Sequence, residues 1–260
     1  MNRPLAVITG ASTGIGYELA KLCGEKGYDL VVVADEPAIE SAATTLRATG
    51  AMVEDLQADL ATVEGVDSLL EVVGERPIAA LFANAGRGLG HAFLDQEWPD
   101  IRRVIDTNVT GTLYLLHKVG RRMRAADEGK ILITGSIAGF MPGTYNAVCN
   151  GTKALLDSFA IALRAELADT KITVTCLMPG ATATEFFERA GMLDTAVGAS
   201  KKQRADEVAK IGFDALLRGQ SDVVAGWQNK LQVALAHVVP AKLLAHLHAR
   251  KAAPGSAPKS

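Results

Sequence analysis

Short apolar runs alternate with longer amphipathic stretches from the start of the chain. Leu5–Thr9, Tyr28–Ala34, Ala51–Gln57, Ile78–Ala83, Lys130–Thr134 and Lys171–Leu177 are rich in Val, Ile and Leu and read as strands. Between them, apolar positions recur at helical spacing over Gly14–Lys26, up to about Thr49, over Thr62–Val73, over Asp95–Arg124 and over Cys149–Ala168. The strands are near-continuous apolar runs, which is the pattern of strands covered on both faces by helices in a parallel sheet. One strand–helix unit spans about 25 residues, the length a right-handed crossover needs. The pattern therefore predicts an α/β fold: one Rossmann-like domain with a doubly wound parallel sheet of about seven strands flanked by helices. A last strand is expected near 222–225, followed by a C-terminal helical extension over about 226–251. No Pro/Gly/Ser linker interrupts residues 1–251, and 252–260 (AAPGSAPKS) is expected to be a flexible tail.

Composition narrows the function. With 27 Lys and Arg against 29 Asp and Glu the net charge is −2, so no basic field exists to hold a nucleic-acid backbone. No apolar run is long enough to span a bilayer, and the one after Met1-Asn2-Arg3-Pro4 is too short for a signal peptide. Cys23, Cys149 and Cys176 are odd in number and lack metal-ligand spacing. The expectation is a cytoplasmic protein with no metal, no membrane partner and no nucleic-acid partner.

The first predicted strand runs into Thr9-Gly10-Ala11-Ser12-Thr13-Gly14-Ile15-Gly16 and then a helix. Glycines at that junction let a pyrophosphate reach backbone N–H groups at a helix N-terminus, where a Cβ would stand in the way. Asp35 ends the second strand about twenty residues past Gly16, the place of the acid that accepts ribose hydroxyls and repels a 2′-phosphate. Glu36 follows it, and Thr13 stands where a cation could have paired with such a phosphate. NAD is thus favoured over NADP.

Further motifs fall in order behind this loop: Asp59-Leu60 after the third strand, Asn84-Ala85-Gly86, Asn108 in DTNVTG, Ser136 in TGSIAG, Lys153 in NGTK, and Pro179-Gly180 with Thr182 and Thr184. Together with TGASTGIG they resemble the short-chain dehydrogenases/reductases over about residues 5–184. That resemblance implies hydride transfer between a nicotinamide and an alcohol or ketone. It assigns the cofactor to Gly10, Ser12–Gly16, Asp35, Asp59, Leu60, Asn84–Gly86, Lys153, Pro179, Gly180, Thr182 and Thr184. It assigns the chemistry to Asn108, Ser136, Lys153 and the residue four before the lysine, a tyrosine in the family. It also implies a mobile lid over 185–204 and a homodimer or homotetramer. Tyr145, just after Pro142-Gly143, reads as a loop residue lining the substrate pocket with Asn146 beside it, and Phe186 reads either as part of an apolar substrate wall or as part of a buried structural cluster.

The pattern breaks at that tyrosine, because the residue is Cys149. The i, i+4 spacing aims Cys149 along the same helix face as Lys153, but a thiol is a different acid and a shorter reach. Loss of positioned acid–base catalysis costs about 10²–10⁴-fold. Three readings stand at this point: a dehydrogenase severely weakened by the substitution, a reactive thiol activated by Lys153, or an NAD(H)-binding sensor or scaffold without turnover.

Overall fold

A computed structural model describes residues 3–258. In chain order the elements are β1 (Leu5–Thr9), α1 (Gly14–Glu25), β2 (Asp29–Ala34), α2 (Ala38–Leu46), β3 (Val53–Gln57), α3 (Val63–Val73), β4 (Ile78–Ala83), α4 (Trp98–Ile105), α5 (Thr112–Ala126), β5 (Gly129–Thr134), α6 (Ala147–Glu166), β6 (Ile172–Met178), the short β7 (Thr182–Ala183), α7 (Phe186–Arg189), α8 (Ala196–Ala199) and β8 (Gln203–Arg204), then α9 (Ala205–Leu217), β9 (Asp222–Val224), α10 (Trp227–Val238) and α11 (Ala241–Ala252).

The main sheet has seven strands in the order β3-β2-β1-β4-β5-β6-β9, and every pairing is parallel. Alternate residues of one strand face opposite cores. Val7, Val31, Leu81, Ile131 and Val174 join the apolar faces of α3, α5 and α6 on one side. Ile8, Val32, Phe82, Leu132 and Leu177 join α1, α2 and α9 on the other, where the rings of Phe82 and Phe213 stack at 6.2 Å. Burial of both faces is what the unbroken apolar runs require. The two edge strands, β3 and β9, are partly exposed. The strand order reverses between β1 and β4. Their carboxyl ends therefore diverge into the crevice where open parallel sheets bind ligands.

Two sequence expectations are corrected. The single helix expected over Asp95–Arg124 is α4 and α5 joined by a π-helical turn, Asp106–Gly111. Asp, Asn, Thr and Gly in that DTNVTG run are weak helix formers, and insertions of this kind collect at functional sites. The turn also packs closely: a Cβ on Gly111 would lie 1.7 Å from the Leu60 carbonyl oxygen. The described part of the expected flexible tail is docked. Ala252 is buried against Phe187, Ala190 and Met192. The Gly255 N–H donates to Asp194 Oδ2 at 2.8 Å and the Ala257 N–H to the Asp194 carbonyl at 2.9 Å. Ser256 Oγ accepts from the Ala196 N–H at 2.9 Å.

Candidate active site

The glycine loop after β1 is a tight backbone cradle. Gly10 and Gly14 have φ of +64° and +61°, a region that L side chains rarely enter. A Cβ on Gly16 would lie 2.0 Å from the Gly10 carbonyl oxygen, so α1 can approach the strand only with glycine there. Thr13 caps α1 without a side-chain hydrogen bond, and no acid stands in the first turn. The positive end of the helix is thus left to an anion. A cleft of about 470 Å³ opens from Thr13 and Gly14 to Thr184, Glu185, Phe187 and Lys202 on the lid side.

Asn84 locks β4 to the loop. Its Nδ2 donates to the Thr9 and Gly10 carbonyls at 3.2 and 3.3 Å, its Oδ1 accepts from Thr134 Oγ1 at 3.1 Å, and Thr9 Oγ1 receives the N–H groups of Asn84 and Ala85 at 3.0 and 2.9 Å. These contacts fix the spacing of β1, β4 and β5 at the crevice floor.

The acid end of the cradle carries cations that the sequence did not single out. Arg87 pairs with Asp35 Oδ2, Arg103 reaches the same oxygen at 3.3 Å, and Arg103 also pairs with Asp59. Burial favours the protonated form of Asp35, but the hydrogen bond and charge of Arg87, with Arg103 behind it, hold the carboxyl below its ordinary range. Both side-chain ion pairs fall on Oδ2, so Oδ1 remains available to ribose hydroxyls. Ser12, expected to hold the cofactor, donates its hydroxyl to Glu36. Arg189 on α7 grips Glu36 at 2.8 Å and also pairs with Glu185. An ion pair thus ties the lid to the loop after β2. The glycine cradle, the uncapped helix end and the free oxygen of Asp35 together fit a dinucleotide.

The second group of expected residues converges where α6 crosses the ends of β4 and β5. Lys153 is buried, and its Nζ donates to the Thr134 carbonyl at 2.7 Å. A Cβ on Gly86 would lie 3.5 Å from that Nζ and 3.3 Å from Asn108 Oδ1, which places the three residues around one point. Asn108 is fully buried in the π turn. Its Oδ1 accepts from the Arg87 N–H at 2.7 Å, and its Nδ2 donates to the Arg87 carbonyl and Thr152 Oγ1, each at 2.9 Å. Ser136 Oγ accepts from the Ala138 N–H at 3.0 Å and donates to the Pro179 carbonyl at 3.3 Å. Cys149 is buried on the Lys153 face of α6. Burial pushes its thiol up and outweighs the opposing pull of Lys153. Burial likewise draws the Lys153 ammonium down, against the charges of Cys149, Asp157 and Cys176.

Asp157, one turn beyond Lys153, escaped the sequence reading. Its Oδ1 accepts from the Ser136 N–H at 3.1 Å and faces Cys176 Sγ at 3.5 Å, while its Oδ2 has no partner among the described residues. Burial, opposed by the Ser136 N–H, Lys153 and Cys176, raises its carboxyl to about 6. Its i, i+4 spacing from Lys153 is the one signal that could have found it.

Tyr145 has a φ of +64° and packs on the cluster of Phe187, Ala190, Met192 and Ala252. Asn146 is buried, and its Oδ1 has no partner among the described residues. Phe186 packs edge-on against Phe187, their ring centres 5.6 Å apart, and fills the space beside Gly88. The C-terminal extension closes on this region. Thr144 Oγ1 donates to the Ala245 carbonyl at 2.9 Å, His248 Nδ1 contacts the Thr144 carbonyl at 2.9 Å, and Asn229 lies so close to Gly180 that a Cβ there would stand 2.4 Å from its Oδ1. Among the described residues no cluster of His, Cys, Asp and Glu could hold a metal ion.

Residues 4–192 match the family described as short chain dehydrogenase. The chain is 30% identical to an uncharacterized oxidoreductase of Myxococcus xanthus over 250 residues, covering 92% of this chain and 94% of that protein. It superposes with a TM-score of 0.81 on a short-chain dehydrogenase from Sphingobium yanoikuyae in complex with NADPH, at 30% identity over 90% of this chain and 94% of the other. The 3-oxoacyl-[acyl-carrier protein] reductase of Brucella melitensis in complex with NAD gives a TM-score of 0.75 at 27% identity, covering 89% of this chain and 98% of that one. On these matches the chain belongs to the short-chain dehydrogenase/reductase family of oxidoreductases.

Proposed function

We propose that this protein is an NAD(H)-dependent oxidoreductase for an alcohol or ketone whose turnover is held low by the thiol at position 149. The observation that carries the reading is local: a complete cofactor cradle faces a buried Lys153, Asn108 and Ser136, and the one position between them that needs a long proton donor holds Cys149. Gly10–Gly16 and the N-terminus of α1 hold the pyrophosphate, and Asp35 Oδ1 takes the ribose hydroxyls. A bound nicotinamide dinucleotide supplies or accepts the hydride. Ser136 Oγ, already both donor and acceptor, turns toward the substrate oxygen. Lys153 Nζ, held by the Thr134 carbonyl, steadies whichever group carries the alcohol proton. Cys149 ends several bonds nearer to α6 than a phenol oxygen would, so the proton has no direct path from the side chain.

Burial also speaks against the reactive-thiol reading. The thiolate is the nucleophile, and a buried thiol pushed above its ordinary value is protonated at neutral pH. NAD remains the favoured cofactor because Asp35 and Glu36 together face the 2′ side of the ribose, and Arg87, Arg103 and Arg189 are committed to them. Such solved relatives as the Sphingobium enzyme with NADPH and the Brucella enzyme with NAD span both choices, so the two cofactors are compared directly.

The test is steady-state oxidation of NADH and NADPH against a panel of ketones, run on this chain and on Cys149→Tyr. Restoring the phenol is expected to raise kcat by about 10²–10⁴-fold, with NADH the better substrate. No gain with tyrosine, together with tight NADH binding, would replace this reading by a cofactor-binding protein without turnover.

A further inference from the structure

The outer face of the C-terminal extension is apolar and cationic at once. Helix α10 has no buried residue, and Trp227, Leu231, Leu235 and Val238 form one stripe along its solvent side. Trp227 is 73% exposed and Val238 76%, so this stripe is open rather than grazed by a neighbouring loop. The opposite face carries the contacts to the body: His237 lies against Phe140, and Asn229 lies beside Gly180. Helix α11 adds Leu243 and Leu247, both about half exposed. Exposed apolar side chains clustered in this way on two successive helices mark an interaction site.

Charge selects the partner. After Asp222 the sequence contains Lys230, Lys242, Arg250, Lys251 and Lys259 and no acid at all, while the chain as a whole carries −2. The surplus of acids therefore lies entirely in the preceding body. A two-fold pairing of this face with itself would bring the four cations on α10 and α11 toward their own copies, which disfavours a second copy of the chain as the occupant. Apolar side chains flanked by Lys and Arg on helices that lie flat match the interface of an anionic bilayer. No described helix is long and apolar enough to cross a membrane, so the contact is one of lying on the surface.

We propose that α10 and α11 dock the protein on anionic phospholipid surfaces, with Trp227, Leu231, Leu235, Leu243 and Leu247 entering the headgroup region and Lys230, Lys242, Arg250 and Lys251 pairing with lipid phosphates. The body, rich in acids, is held off the same surface by like charge, so the orientation is fixed. Since α11 rests on Thr144 and Ala252 rests on the lid, the substrate loop lies directly behind the docked face.

Flotation of the full chain with two vesicle preparations tests this. One is phosphatidylcholine alone and the other an equimolar mixture of phosphatidylcholine and phosphatidylglycerol. The expected result is partition at least about tenfold stronger to the anionic vesicles, weakened by salt. It should be lost in Leu231→Glu and in Lys242→Glu, while both variants keep the melting temperature and NADH affinity of the parent. Equal partition to both vesicles, no partition to either, or retention in both variants overturns the proposal. So does sedimentation velocity showing that Leu231→Glu breaks an oligomer formed by the parent, because the stripe is then the seat of a second copy. None of these readouts depends on turnover, so they stand or fall apart from the proposed reaction.

Discussion

The two ends of the crevice are built to different standards of completeness. At the dinucleotide end the loop is held by its own contacts: the glycines sit at backbone geometry that only they tolerate, Asn84 joins three strands, and Asp35, Glu36 and Asp59 each meet an arginine. At the proton-transfer end, polar atoms are left over. Asp157 Oδ2, Asn146 Oδ1 and Asn150 Oδ1 are buried with no partner among the described residues, and Cys149 and Lys153 are both driven toward their neutral forms by burial. Buried polar groups in folded proteins are nearly always paired. The contrast teaches that the binding half of this fold is held together by its own side chains, whereas around Lys153 buried polar atoms stay without partners among the described residues.

The largest expected effect tests that contrast directly. If the proton-transfer end lacks only a phenol, Cys149→Tyr restores turnover by the factor given above, and NADH affinity changes little because the cradle is untouched. A variant that gains affinity but not rate would show that the two ends are not separable. Next in size is Asp35→Asn. It removes the acid proposed to face the ribose and leaves Arg87 and Arg103 short of a counter-charge. NADH affinity is expected to fall by about 10–100-fold, the worth of hydrogen bonds to a charged acceptor, and NADPH affinity to rise. The ratio of the two dissociation constants from fluorescence titration measures it, and an unchanged ratio would place the ribose away from Asp35.

The same contrast governs what could be read from the sequence. The sheet was legible because burial on both faces writes itself as unbroken apolar runs, and the cradle because glycine spacing is a backbone requirement. The position of Cys149 beside Lys153 followed from helical spacing. The three arginines were not legible. Arg87, Arg103 and Arg189 come from separate segments and meet the acids only through the tertiary fold. Nor was the π turn at Asn108, since hydrophobic periodicity does not register one inserted residue in a long helix. The docking of 252–257 was hidden for a similar reason: an AAPGSA run has loop composition, and its order comes from Asp194 and a small apolar hollow on the lid.

A smaller effect probes the leftover charge. Asp157 has a carboxyl raised to about 6 in the folded chain. A raised carboxyl favours folding fully below its unfolded value and loses that contribution as pH climbs through the folded value. The parent should therefore gain stability between pH 7 and pH 4 relative to Asp157→Asn, which cannot ionise. The expected difference is about 3 kcal/mol in favour of the variant at pH 7, shrinking toward zero near pH 4. Melting curves across that range read it. A constant offset would mean that Asp157 acts through its hydrogen bond to Ser136 alone.

The smallest effect concerns the lid, where the two ends of the crevice meet the C-terminal extension. Asp194 holds the tail twice, through Oδ2 to the Gly255 N–H and through its carbonyl to the Ala257 N–H. Asp194→Ala removes only the first. One charge-assisted hydrogen bond at an exposed position is worth about 1 kcal/mol, too little to unfold the domain but enough to raise local opening of the tail by about fivefold. Arg250 and Lys251 lie at the end of α11, so limited trypsin digestion reports that opening without global unfolding. Cleavage there should speed up by roughly that factor while the melting temperature falls by only about 2–4 °C. If cleavage is unchanged, the buried Ala252 holds the tail unaided, and the lid is braced by packing against Phe187 and Met192 rather than by the Asp194 bridge.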